Sequence, residues 1–109
     1  MTVAAVLGVL GDDTRRGVVE ALARQPLSAG ELAIHLEVTP AALTRHLRLL
    51  RQAGIVGASL DEEDQRRHVY ALRPEPLLEL RDWAESVSEY WTRQLAAFAG
   101  SVGGADADR

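Results

Sequence analysis

Two helical segments joined by only Glu37-Val38, two strand-like runs that follow at once, and apolar helices at both ends predict a mainly α fold with a small β-hairpin. Such an arrangement is a winged helix-turn-helix whose apolar N- and C-terminal helices need a covering surface. The 109 residues suit a single domain, placed at residues 1–99, with Gly- and Asp-rich residues 100–109 expected to form a disordered tail.

Residues 3–10 are apolar nearly all round, as expected of a short helix covered on several sides, with a partner chain as one source of cover. Asp12 is placed to cap the next helix and Asp13 lies in its first turn. Val18, Val19 and Leu22 then recur at helical spacing until Gln25-Pro26. Ser28-Ala29-Gly30-Glu31 reads as a capping box flanked by the staple pair Leu27 and Leu32, which starts a helix over residues 29–36. Thr39-Pro40 supplies an N-cap followed by a proline at the first helical position, and Gly54 ends that helix after Gln52 or Ala53. On this second helix Leu43, Leu47 and Leu50 share one face, whereas Ala41, Thr44, Arg45 and Arg48 project from the other. Residues 55–60 and 67–72 form the hairpin around the polar loop 61–66, with His68, Tyr70 and Leu72 on one face. Pro74 and Pro76 bracket the entry to a long last helix, whose Leu77, Leu80, Ala84, Val87, Trp91, Leu95 and Phe98 make an apolar stripe that needs a partner surface.

Composition narrows the function. With no cysteine there are no disulfides and no thiolate ligands. His35, His46 and His68 lie on three separate elements, so no metal site and no cofactor are expected. No phosphate-cradling glycine loop and no nucleophile-base arrangement is present, so no enzyme is expected. No apolar run is long enough for a bilayer and the start lacks a basic secretory stretch, from which a cytoplasmic protein is expected. The net charge of -4 opposes nucleic acid at first sight. Residues 74–109 carry that excess, with three Arg against seven acids, while residues 40–55 hold Arg45, Arg48 and Arg51 and no acid. A basic stripe on an acidic protein is compatible with DNA. Arg45 is the expected base reader, bidentate to a guanine edge. Arg48, Arg66 and Arg67 are expected on phosphates, and Arg51 sits where the helix dipole favours a cation.

The segments Leu10-Gly-Asp-Asp-Thr-Arg, Leu32-Ala-Ile-His-Leu, Leu43-Thr-Arg-His-Leu-Arg-Leu-Leu-Arg-Gln-Ala-Gly-Ile-Val and Arg66-Arg-His-Val-Tyr-Ala-Leu, in this order over residues 7–73, resemble the ArsR family of bacterial winged-helix repressors. The resemblance implies a sequence-specific regulator of transcription. It would be a homodimer that binds a pseudo-palindromic double-stranded DNA operator, usually as a repressor released by an effector, here unidentified. It implies a recognition role for Thr44, Arg45 and His46, with Thr39 at the helix start against the DNA backbone. It also implies that Val3, Val6 and Leu7 of the first helix and Leu80, Trp83, Val87, Trp91 and Leu95 of the last form the dimer interface. Pro40 and Ala41 depart from the small polar residues common in the family, leaving Ala41 an apolar contact such as a thymine methyl. Glu37 stands where the family often has glycine, at a left-handed helix end.

Four acids at residues 61–64 repel phosphate, so either the wing tip stands away from DNA and Arg66 and Arg67 make the contact, or Asp64 pairs with an arginine and orients it, the arrangement we prefer. Two other readings stay open. Asp64-Gln65-Arg66 resembles a wing pattern of the MarR family, disfavoured by the short chain. A winged-helix protein-interaction module, with the acidic wing and apolar terminal helices as contact surfaces, would show no salt-dependent DNA affinity.

Overall fold

The computed structural model describes residues 2–101, in the order α1 (Val3–Val9), α2 (Asp13–Leu22), α3 (Ala29–Leu36), α4 (Pro40–Gln52), β1 (Val56–Leu60), β2 (His68–Leu72) and α5 (Glu75–Ser101). The first four helices start where a side-chain oxygen meets an otherwise unpaired amide. Thr2 Oγ1 accepts from Ala5 N at 3.1 Å, Asp12 Oδ2 from Arg15 N at 3.0 Å, and Thr39 Oγ1 from Ala42 N at 3.2 Å. The capping box of α3 is reciprocal: Ser28 Oγ accepts from Glu31 N at 3.2 Å and Glu31 Oε1 from Ser28 N at 2.9 Å.

Both helices of the helix-turn-helix end in the same way. Glu37 is left-handed at φ 56°, its N–H reaching Ile34 O at 3.3 Å while Val38 N–H reaches Ala33 O at 3.1 Å. Gly54, at φ 75°, donates to Arg51 O at 3.0 Å and Ile55 N–H to Leu50 O at 3.0 Å. These are Schellman ends, and only the second carries the residue that adopts the conformation without strain. Replacing Glu37 with glycine is therefore expected to stabilise the protein by ~0.5–1 kcal/mol. The check is a thermal melt at fixed protein concentration; an unchanged or lower Tm would mean that the Glu37 side chain offsets its backbone strain.

The Schellman end also explains a one-residue shift. Ile55 was expected in the first strand, but its amide closes α4, so β1 begins at Val56. Arg67 was expected to open the second strand, yet its N–H turns into the loop to Asp64 O at 2.9 Å, and β2 begins at His68. The strands pair antiparallel from Val56 with Leu72 to Leu60 with His68. Leu27, between α2 and α3, adds a bridge on the far side of β2, exchanging hydrogen bonds with Tyr70 at 3.1 and 2.8 Å. The wing is thereby fastened at its root to the start of the helix-turn-helix.

One core serves all these elements. Val6, Val18, Leu32, Leu43, Leu50 and Ile55 are fully enclosed, with Leu27, Val38, Tyr70, Leu72 and Leu80 packed around them. Two expectations for the interface change here. Val6 points into this core and is not available to a partner, because it is the one residue of α1 that joins the buried cluster. Leu80 is half-buried against the same core. Leu7 remains exposed and Val3 partly so.

α5 leaves the body of the protein. The longest dimension is 66 Å and the radius of gyration 19.2 Å, against about 13 Å expected for a compact domain of this size. The 27-residue helix, ~40 Å long, accounts for the difference. Its first turns pack on α1, but every residue from 81 to 98 is exposed, including Trp83, Val87, Tyr90, Trp91, Leu95 and Phe98. The helix also continues through Gly100 and Ser101, beyond the boundary expected at residue 99; residues 102–109 lie outside the described residues. Among the described residues no helix is long and apolar enough to cross a membrane.

Candidate nucleic-acid interface

α4 divides its residues between two tasks. Leu43, Leu47 and Leu50 are buried, while Ala41, Thr44, Arg45 and Arg48 form an exposed row at helical spacing with no acid among them. Thr44 of this helix and its N-cap Thr39 present opposite chemistry. Thr44 donates its hydroxyl proton to Pro40 O at 2.9 Å, leaving oxygen lone pairs outward as acceptors. Thr39 accepts the Ala42 amide and keeps its proton to donate. Arg45 and Arg48 make no ion pair among the described residues.

Between α4 and the wing, Thr44, Leu47, Arg48, Arg51, Gln52 and Tyr70 line an open groove of about 430 Å³. Arg51 was expected only to complement the helix dipole, and it does stand in the last turn of α4. The groove sets it beside Arg48, so it continues the basic row toward the wing. Tyr70 and Gln52 join the site without any local signal in the sequence, since only the packing of β2 on the helix-turn-helix brings them there.

His46 does not belong to the exposed row. Its side chain is only 13% exposed and turns back toward α2, where Nδ1 lies 3.1 Å from an Arg15 terminal nitrogen and 3.8 Å from Asp12 Oδ2. The position follows Arg45 by about 100° of helix, which carries it from the outer face to the α2 crevice. It is removed from the base contacts.

The wing arginines also separate. Arg66 is almost entirely exposed, with Nε 3.5 Å from Asp64 Oδ1, and the same carboxylate oxygen accepts its amide at 3.1 Å. This is the expected orientation of an arginine by Asp64. Arg67 pairs instead with Glu31 of α3 and with Asp61 at 3.2 Å, so it is held by the protein and is removed from the free phosphate contacts. Two of the four acids at the tip are thus engaged, leaving Glu62 and Glu63 facing solvent.

Glu31 works for both the helix and the wing. Hydrogen bonding from the Ser28 amide holds its carboxyl below the ordinary 4.5, aided by the Ser28 hydroxyl and the Arg67 guanidinium and opposed by partial burial. A carboxyl lowered in the folded state contributes stability that is complete above 4.5 and is lost as pH falls through its folded value below that. Glu31→Gln should therefore be less stable than wild type near neutrality, with the gap closing as the pH drops below 4.5. Urea midpoints across that range test this; a constant gap would mean that charge on Glu31 contributes nothing. Asp12 is lowered from 3.8 in the same way, first by the Arg15 amide and then by its guanidinium.

Among the described residues no three His, Cys, Asp or Glu side chains stand close enough to hold a metal ion.

Comparison with known proteins agrees with this geometry. Residues 12–57 match the profile of the bacterial regulatory protein, arsR family. The HTH-type transcriptional regulator Rv2034 of Mycobacterium tuberculosis is 41% identical over 90 residues, covering 83% of this chain and 78% of that protein. The ArsR-like transcriptional regulator from Rhodococcus sp. RHA1 superposes with a TM-score of 0.76 at 30% identity, over 90% of both chains. A crystal structure of a "possible transcriptional regulator for arsenical resistance" follows with a TM-score of 0.64 at 33% identity, over 74% of this chain and 81% of that one. The winged helix-turn-helix, its exposed basic helix and these relatives together place the chain in the ArsR family, and it is a DNA-binding transcriptional regulator.

Proposed function

We propose that the protein is a homodimeric repressor acting in the cytoplasm, whose two α4 helices enter successive major grooves of a pseudo-palindromic operator. The observation that carries this reading is the acid-free outer row of α4, set on a helix whose opposite face is locked into the core. Arg45 reads a guanine edge through its two-pronged guanidinium, and Ala41 leaves room for a thymine methyl. Thr44, with its proton committed to Pro40, accepts from the exocyclic amine of cytosine or adenine. Thr39, Arg48 and Arg66 hold phosphates, and Arg51 extends that set. The exposed stripe of α5, with Leu7 and Val3 beside it, is the surface that a second copy covers, joining two reading heads into one molecule. The role in arsenical resistance named for one relative is not carried over, because a chain without cysteine lacks the soft ligands that such a ligand favours.

Fluorescence anisotropy against the DNA upstream of the gene and a scrambled control, across salt concentrations, tests the reading. Preference for the first, saturation at one dimer per site and weakening with salt are expected. Arg48→Ala should weaken binding to both DNAs and flatten the plot of log affinity against log salt by about 2 per dimer, one unit for each lost phosphate contact. Absence of binding to either DNA at low salt would favour a protein-interaction module.

A further inference from the structure

We infer that Arg15 and His46 form a positioning device that links the seat of α1 to the recognition helix; this deepens the operator-binding reading and rests on it for its consequence on DNA. Arg15 lies in the first turn of α2, between the two elements. Its Nε donates to Val9 O, at the C-terminal end of α1, at 2.6 Å, and a terminal nitrogen meets His46 Nδ1 of α4 at 3.1 Å. Guanidinium is a donor only, so this second contact uses His46 with Nδ1 unprotonated as the acceptor. Asp12, whose carboxylate caps α2 on the Arg15 amide, stands 3.8 Å from the same ring nitrogen.

The planar fork of arginine makes the link stiff, because its Nε and terminal nitrogens sit in one rigid plane and donate in fixed directions. A shift of α1 that moves the Val9 carbonyl must turn the guanidinium and with it the acceptor on His46. His46 directly follows Arg45, so turning its ring re-aims the row that faces DNA. α1 also packs on α5, and a change in how two copies meet would therefore reach the reading helix through these two side chains. Arg16, whose guanidinium holds the neighbouring Leu10 O at 2.7 Å and pairs with Asp13, reinforces the end of α1 but makes no hydrogen bond or ion pair to α4 among the described residues. It serves as the internal control.

Three variants separate positioning from packing. His46→Asn keeps an acceptor at the place of Nδ1, His46→Leu keeps bulk without an acceptor, and Arg15→Lys keeps charge without the fork. Hydrogen exchange is followed on the full chain without DNA, and anisotropy with the upstream and scrambled DNAs. H46L and R15K should speed exchange at the amides of Val9 and of the α1 C-cap Leu10 as well as along α4, whereas H46N should not. Preference for the upstream DNA should fall about tenfold in H46L and R15K and stay within about threefold in H46N, the size expected for a hydrogen bond to a charged group. The proposal is overturned if H46L perturbs α4 alone, if H46N and H46L behave alike, or if Arg16→Ala disturbs α4 as strongly as R15K. Should H46L fail to fold, R15K against H46N decides the same question. If the wild-type protein shows no preference between the DNAs, the operator-binding reading fails and the exchange pattern still decides whether α1 and α4 are linked.

Discussion

Arg45→Ala is expected to lower affinity for the operator by about 1–3 kcal/mol per half-site, or ~2–6 kcal/mol for a palindrome read twice. Affinity for scrambled DNA at the same salt should fall far less, because there the side chain contributes only its charge. The residue is exposed on the acid-free row of α4, one turn after Ala41 and one before Arg48, with the backbone behind it anchored by Leu43, Leu47 and Leu50. Arg45→Lys should recover little of the loss, since a point charge cannot span the two guanine acceptors. The measurement is a pair of anisotropy titrations at constant salt. Equal losses on both DNAs would make Arg45 a phosphate contact and leave base reading to Thr44 and DNA shape.

Trp91→Glu is expected to convert the protein to a monomer. Trp91 is 61% exposed on a helix that projects from the body, and Leu95 at 59% and Phe98 at 65% continue its stripe. Exposed apolar patches of this extent are surfaces that something covers. Covering the exposed part of one Trp91 contributes ~3 kcal/mol, and the residue occurs twice in a symmetric dimer. Losing ~6 kcal/mol weakens association by about 10⁴-fold, before the cost of placing a carboxylate in the interface. Sedimentation equilibrium reads the result directly. Operator affinity should fall with it, because each half-site is then bound by an independent molecule. A variant that stays dimeric would place the interface elsewhere and remove α5 from it.

The local signals of this sequence were legible because each lies within one helical turn of what it controls. Asp12, Ser28 with Glu31, and Thr39 before Pro40 all bond amides three residues away, as expected from their spacing. Gly54 ends α4 for an equally local reason. Strand starts were displaced by one residue where an amide had a competing use: Ile55 in closing α4, Arg67 in the hairpin loop. The outer row of α4 was readable from periodicity, but His46 sits at the edge of that face, where a few tens of degrees decide between DNA and the interior. Periodicity does not resolve that angle.

By itself the sequence determined the order of elements, their caps, the apolar face of α4 and the basic stretch opposite it, since these depend on spacings of three, four and seven residues. Tertiary structure alone decided which charged side chains remain free. Arg66 and Arg67 are neighbours of the same type, yet one projects into solvent and the other is taken by Glu31 and Asp61. It likewise decided that Val6 belongs to the core and His46 to Arg15, and that Tyr70 and Arg51 share a groove. The reason is common to all of them: partners distant in the chain compete for a side chain through distances of 3–4 Å, and only the packing of whole elements sets those distances.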